Sequence, residues 1–156
     1  MQLYETVVDI YCGSGCHPNP GIGGWAALLR CKDVEKVVSG NVGQATNARM
    51  DLVSAVYALE SLKRPCLVRL HSSSRYLVNG MAKDQRLARQ GASYAAVPNG
   101  DLWRLLDHHA RQHAVEWVWV RSGENEFLNR SKKTVEKEIL KHNKIIALAG
   151  NTMELF

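Results

Sequence analysis

The sequence lacks the features that mark membrane, secreted or multidomain proteins. No apolar run approaches the roughly 18 uninterrupted residues that a membrane span needs. Residues 1–5 carry neither a basic segment nor an apolar signal core, so we expect an intracellular protein, cytoplasmic by default. No repeat, linker or low-complexity stretch divides the chain, and its 156 residues are close to the usual length of one domain. We therefore expect a single domain over residues 1–156, and a monomer.

The four cysteines follow neither a disulfide nor a zinc pattern. An intracellular domain of this size needs no disulfide, so the sequence predicts free thiols at Cys12, Cys16, Cys31 and Cys66. Cys16 is followed by His17, but the group lacks the paired, four-ligand spacing of a structural zinc site. We therefore predict no zinc.

The charge balance is basic. Twenty Lys and Arg residues against fifteen Asp and Glu residues give a formal net charge of +5, which favours a polyanionic partner such as nucleic acid. Candidate phosphate contacts occur in the predicted last helix and in the middle of the chain: Lys132, Lys133, Lys137, Lys141 and Lys144, and Lys83, Arg86 and Arg89.

The apolar pattern alternates between strand and helix. Strands are predicted at residues 4–12, 25–31, 35–40, 66–70 and 114–120, the first ending at a Gly-Ser-Gly turn signal. Steps of three and four residues predict helices at 48–62, 74–82, about 101–110 and 130–148, with a basic connection at 83–98. Asn99 or Asp101 can cap the third of these helices.

The order of these elements predicts the sheet. The first three strands are close in sequence and form an antiparallel meander, whereas strand 66–70 is reached through a helix and joins as a parallel neighbour. The prediction is an α/β fold in which a mixed five-stranded sheet carries helices on both faces.

Several segments, in order along the chain, carry a family resemblance. Four of them are Ile-Tyr-Cys-Gly-Ser at 10–14, Thr-Asn-Ala-Arg-Met-Asp at 46–51, Leu-His-Ser-Ser-Ser-Arg-Tyr at 70–76 and Asn-Glu-Phe-Leu-Asn at 125–129. The glycine-rich turn at 19–26, the helix at 101–107 and the strand at 116–120 match as well. Together these segments resemble the ribonuclease H family from about Val7 to about Ile139. The resemblance implies a ribonuclease H-like fold.

The resemblance also implies a degenerate active site. In that family each of the four segments supplies one acidic residue to a pair of Mg²⁺ or Mn²⁺ ions that cut RNA paired to DNA. The matching positions here are Cys12, Asp51, Ser73 and Asn129, and only Asp51 is a carboxylate. Two adjacent dications need several carboxylates to offset their charge. We therefore expect a pseudoenzyme with no catalytic residues, no cofactor and no Mg or Mn site.

The binding features of the family are better preserved. In the family, a set of residues contacts the nucleic-acid backbone, and the matching positions here are Asn19, Thr46, Asn47 and Arg49. Thr46 and Asn47 also precede a helix, where free N–H groups favour an anion. The simpler alternative is that Thr46 only caps the helix and that Arg49 pairs with Glu60 or solvent.

Three functions remain open at this point. The first is an inactive ribonuclease H relative that binds an RNA–DNA hybrid or double-stranded RNA. The second is a protein-interaction module on the same scaffold. The third is a weak nuclease with a remodelled metal site, in which Glu124 or Glu126 assists Asp51.

Overall fold

The computed structural model describes residues 6–155, with side chains described for residues 6–149. The strands are β1 (Val7–His17), β2 (Gly21–Cys31), β3 (Val34–Ala45), β4 (Leu67–Ser72) and β5 (Ala114–Trp119). The helices are α1 (Asn47–Glu60), α2 (Arg75–Gly80), α3 (Lys83–Gly91), α4 (Gly100–Ala110) and α5 (Glu126–Leu155). Within the described residues, no helix combines the length and apolar character needed to cross a membrane. The expectations for residues 1–5, including the start of the first strand, lie outside the described part.

The strands form one mixed sheet in the order β3-β2-β1-β4-β5. β2 is antiparallel to β1 and β3, whereas β4 is parallel to β1 and β5. Helices α1 and α4 cover one face, where Leu52, Leu70 and Leu106 belong to the largest core cluster. Helix α5 covers the other face through Val135 and Ile139. The predicted α/β architecture, with helices on both faces, is confirmed.

The first strand is longer than predicted. Gly13 and Gly15 belong to β1 and pair with β2, and the chain reverses at residues 18–20 instead. A Cβ atom on Gly13 would lie 3.1 Å from the carbonyl carbon of Ser131, and one on Gly15 would lie 3.1 Å from Cγ1 of Val135. The two glycines therefore allow α5 to pack closely on β1, and the turn prediction at this position is wrong.

The predicted basic connection contains a helix, α3. Its residue Arg89 is 6% exposed, and its Nη2 donates to Oδ1 of Asp107 at 2.9 Å. The Arg89 guanidinium lies 4.0 Å from the centre of the Trp103 ring, and the Tyr94 hydroxyl donates to Oδ2 of Asp107 at 2.8 Å. Arg89 is therefore part of a buried network that joins α3 to α4, and its assignment as a phosphate contact is wrong.

Asparagines stand at the starts of α5 and α4, but only the first caps its helix. Helix α5 begins at Glu126, ahead of the predicted residue 130, and Oδ1 of Asn125 accepts a hydrogen bond from the Leu128 N–H at 2.9 Å. Asn99 stands at the N-cap of α4 with a left-handed φ of 57°, but its side chain makes no capping bond. The Asn99 side chain is therefore free to hold residues of the neighbouring elements.

His113 gives the fold a pH-dependent contact. Its Nδ1 accepts a hydrogen bond from the Cys66 N–H at 3.1 Å, and burial lowers the pKa of the ring. A lowered pKa means that the unfolded chain takes up the proton first as pH falls. The stability that this contact provides is complete above the unfolded pKa of about 6.5 and declines as pH falls through it toward the folded pKa.

We therefore expect the free energy of unfolding, measured with urea, to fall between pH 8 and pH 5.5. Replacing His113→Gln keeps an acceptor near the Cys66 N–H without a titrating ring, so the variant should lose less stability over the same interval. An identical loss in both proteins would show that other groups cause the pH dependence.

Candidate functional site

A polar cleft lies where β1, β4 and the start of α1 meet. Cys12 of β1 is in parallel register with Ser72 of β4. Asp51, in the first turns of α1, lines a cavity of about 410 Å³ together with Cys12 and Ser73. Three of the four positions identified by the family resemblance are thus brought together.

Asp51 is at the centre of this cavity. One of its carboxylate oxygens accepts a hydrogen bond from the Ser14 hydroxyl, and the other accepts one from the Ser74 hydroxyl at 2.7 Å. Burial raises the pKa of Asp51, while the two hydroxyls and the nearby Lys132 ammonium oppose that increase. Both oxygens of the carboxylate therefore already have protein partners.

The neighbouring groups are neutral. Burial raises the pKa of the Cys12 thiol to about 12, so the sulfur is protonated at neutral pH and is not a metal-binding thiolate. The Ser73 hydroxyl is buried and has no hydrogen-bond partner within the described residues. The cavity therefore presents a thiol and hydroxyls where carboxylates would be needed for a dication.

Asn129 stands apart from the other three positions. Its side-chain amide donates to the Gly123 carbonyl oxygen at 3.2 Å, and it does not line the cavity. Glu124 forms an exposed pair with Arg121 at 4.0 Å, and Glu126 is also exposed. Neither glutamate lines the cavity, so the predicted acidic substitute for the missing carboxylates is not found there.

Helix α5 contributes two cavity residues, one of which the sequence did not identify. Lys132 was predicted as a phosphate contact, but its Nζ donates to the Ser14 carbonyl oxygen at 3.3 Å inside the cleft. Glu136, one turn later, lies at the rim, where its Oε1 is 3.4 Å from Nε2 of His17. The four-residue spacing of Lys132 and Glu136 is the only sequence signal that could have placed them on one face.

The predicted backbone pocket at the start of α1 is held together by its own residues. Oδ1 of Asn19 accepts from the Asn47 N–H at 3.2 Å, and the Thr46 hydroxyl caps the helix by accepting from the Arg49 N–H at 3.2 Å. Asn47 also lines the cleft. The structure thus brings Asn19, Thr46 and Asn47 together beside the cavity, with Thr46 in the capping role.

Arg49 has a strong internal partner. Its guanidinium donates two hydrogen bonds to Asp101, at 2.8 and 3.1 Å, and one to Oδ1 of Asn99 at 3.2 Å. The Asp101 contact raises the pKa of Arg49, and Arg49 in turn lowers the pKa of Asp101. The expectation of an Arg49–Glu60 pair is therefore wrong, because the partner is Asp101.

The lysines of α5 are divided between two surfaces. Lys132 faces the cleft, whereas Lys133 and Lys137 line a separate cavity of about 210 Å³ against Leu28 and Val37. One nucleic-acid phosphate cannot contact both groups. Lys133 and Lys137 can therefore contribute only long-range attraction at the cleft.

An aromatic surface borders the cleft on the α2 side. Trp119 is 36% exposed, its Nε1 donates to the Ser73 carbonyl oxygen at 3.2 Å, and the Arg75 guanidinium stacks 3.8 Å above its ring. Tyr76 accepts hydrogen bonds from Asn99 and Trp103 beside a larger cavity of about 620 Å³. Trp119 is the last residue of β5, and its exposed ring lies beside Ser73 at the edge of the cleft.

The sheet order and the position of the cleft define a ribonuclease H-like α/β protein. The RNase H family model matches residues 5–146 of the chain. The ribonuclease H of Granulibacter bethesdensis is 46% identical over 125 residues, which cover 78% of this chain and 83% of that protein. The ribonuclease H of Novosphingobium aromaticivorans is 45% identical over 118 residues, 73% of this chain and 82% of that protein. The chain belongs to the ribonuclease H family.

Solved structures show the same fold. A type 1 RNase H with the type 2 active-site motif has a TM-score of 0.78 at 22% identity, covering 88% of this chain and 74% of that chain. LC11-RNase H1, solved in complex with an RNA/DNA hybrid, has a TM-score of 0.65 at 20% identity, covering 86% of this chain and 98% of that chain. At these identities the likeness concerns the fold alone.

The cleft residues do not fit the metal pair that the family implies. Mg²⁺ prefers several anionic or carbonyl oxygens in near-octahedral geometry. Here one carboxylate has both oxygens hydrogen-bonded, the thiol is protonated, and an ammonium group shares the cavity. Among the side chains that the structure describes, those of residues 6–149, no three His, Cys, Asp or Glu side chains are grouped closely enough to hold a metal ion.

Proposed function

We propose that this protein binds the backbone of an RNA–DNA hybrid or of double-stranded RNA without cleaving it. The observation that carries the proposal is the chemistry of the cleft, where Asp51 is the one carboxylate from the four family positions and Lys132 supplies a positive charge. Hydrolysis by the family's chemistry depends on metal ions that this donor set would not hold. The scaffold would then serve recognition alone.

Binding is supported by what surrounds the cleft. The chain carries a formal net charge of +5 and belongs to a family with a member solved on an RNA/DNA hybrid. Asn19, Thr46, Asn47 and Arg49 would contact the backbone beside the cavity, with Lys132 inside it. Lys133 and Lys137 would add long-range attraction from the other side of α5.

A different surface favours the protein-interaction alternative. A groove of about 490 Å³ where α1 and α4 meet β2 and β3 has a mostly apolar lining, including Trp25, Tyr57 and Leu105. Tyr57 and Leu105 are 48% and 47% exposed. The third alternative, a weak nuclease in which Glu124 or Glu126 assists Asp51, has less support, because neither glutamate lines the cavity and both Asp51 oxygens accept hydrogen bonds from serine hydroxyls.

The proposal is tested by hybrid binding in EDTA at several salt concentrations. With a few phosphate contacts, the slope of log affinity against log salt should be about −2 to −4, because each contact contributes roughly −0.9 on duplex DNA. Between 50 and 200 mM salt the affinity should thus fall by a factor of about 16 to 250. Undetectable binding at low salt, with nuclease-resistant copurification of one protein, would favour the interaction module instead.

Arg49 provides a sharper test of the contact region, because Asp101 competes with phosphate for its guanidinium. Replacing Asp101→Ala should release Arg49, raise hybrid affinity and steepen the salt slope by about one unit. The matched control is Glu60→Ala, which makes the same change in net charge elsewhere on the molecule. Equal effects of the two substitutions would show that Arg49 is not a phosphate ligand.

A further inference from the structure

The position of Lys132 in the cleft is fixed by the packing of α5 on β1. The preceding residue, Ser131, is buried, and its hydroxyl donates to the Tyr11 carbonyl oxygen at 2.8 Å. At Gly13 the backbones of β1 and α5 are so close that an added Cβ would lie 3.2 Å from the backbone nitrogen of Lys132. The helix therefore cannot rotate or slide at this point without losing these contacts, and the Lys132 side chain is directed to the cleft.

Inside the cleft, the Lys132 ammonium lies near the Asp51 carboxylate. Its Nζ donates to the Ser14 carbonyl oxygen at 3.3 Å, and the Ser14 hydroxyl donates to Asp51. The only other hydrogen bond to the Asp51 carboxylate within the described residues comes from the neutral Ser74 hydroxyl. A partly buried carboxylate is stable in its charged form when a positive charge compensates it. Lys132 is the cationic side chain that lines the same cavity.

We propose that the Lys132 ammonium is a built-in cation that compensates Asp51 and keeps the cleft closed to divalent metal ions. A lysine ammonium is a compact positive charge with three donors and no acceptor, so it can donate to the Ser14 carbonyl oxygen and compensate the nearby Asp51 charge while repelling a dication. The absence of carboxylates at positions 12, 73 and 129 is then one difference from the family's metal site, and the presence of Lys132 is another. This inference concerns the ion in the cleft and does not depend on nucleic-acid binding.

Mn²⁺ binding to two designed variants tests the proposal. The first carries Cys12→Asp, Asp51→Glu, Ser73→Asp and Asn129→Asp and retains Lys132, and the second adds Lys132→Ala to those four substitutions. Calorimetry should show Mn²⁺ affinity at least about tenfold higher in the second variant, because the tethered positive charge has been removed. Equal affinity in the two variants would overturn the proposal.

Single substitutions keep the proposal testable if the multiple variants fail to fold. Lys132→Ala should lower the thermal midpoint more than Lys133→Ala, its exposed neighbour on α5, because only the first leaves Asp51 without a compensating charge. Equal midpoints for the two variants would show that Lys132 does not compensate Asp51.

Discussion

Replacing Arg89→Ala should lower the free energy of unfolding by about 3–5 kcal/mol, because it leaves the buried Asp107 carboxylate without its positively charged partner. Asp107 is 2% exposed, and its oxygens accept from Arg89 and from the Tyr94 hydroxyl. The substitution also removes the guanidinium that packs on Trp103 and donates to the Gly80 carbonyl oxygen. Urea denaturation at neutral pH, followed by tryptophan fluorescence, measures the loss.

Lys83→Ala is the matched control for this prediction. Lys83 is an exposed positive charge in the same helix, so its removal should change stability by no more than about 0.5 kcal/mol. If Arg89→Ala were as well tolerated as Lys83→Ala, the α3–α4 network would contribute little to the fold.

Gly13→Val should destabilise the protein by about 3 kcal/mol through overpacking. A Cβ atom at this position already meets the Ser131 and Lys132 backbones of α5 at 3.1–3.2 Å, and valine adds two methyl groups. Because backbone atoms cannot move aside as a flexible side chain can, β1 and α5 would have to separate. The same displacement would withdraw Lys132 from the cleft.

Gly91→Val is the control for the glycine substitution. A Cβ atom on Gly91, at the end of α3, meets nothing within 4 Å. Thermal unfolding of both variants should therefore show a large loss for Gly13→Val and a small change for Gly91→Val. Similar losses would mean that the close contact between β1 and α5 does not limit the side chain at position 13.

The order of the elements could be predicted because each strand and most helices carry a local apolar pattern. The exception is α3, whose single buried residue is Arg89, so its sequence has no apolar face to recognise. The glycines of β1 indicate a turn when read locally. Their actual role depends on α5, more than 100 residues further along the chain, and no local pattern contains that information.

The candidate site was predictable only as far as the family resemblance reaches. It identified Cys12, Asp51 and Ser73, which the fold brings together. It could not identify the partner of Arg49, because Asp101 is 52 residues away and both residues also suit other roles. Nor could it place Lys132 inside the cleft, since a lysine on a helix is normally solvated and only the packing at Ser131 directs it inward.

Cleavage of a labelled RNA–DNA hybrid is the most direct test for nuclease activity in this protein. The protein should be incubated with the hybrid in Mg²⁺ and, separately, in Mn²⁺, with the ribonuclease H of Granulibacter bethesdensis as the positive control. Because the cleft donor set would not hold the metal pair, no product should form above the protein-free background in either metal, while hybrid binding remains measurable in EDTA. Mn²⁺-dependent cleavage that is abolished by Asp51→Ala would contradict this prediction.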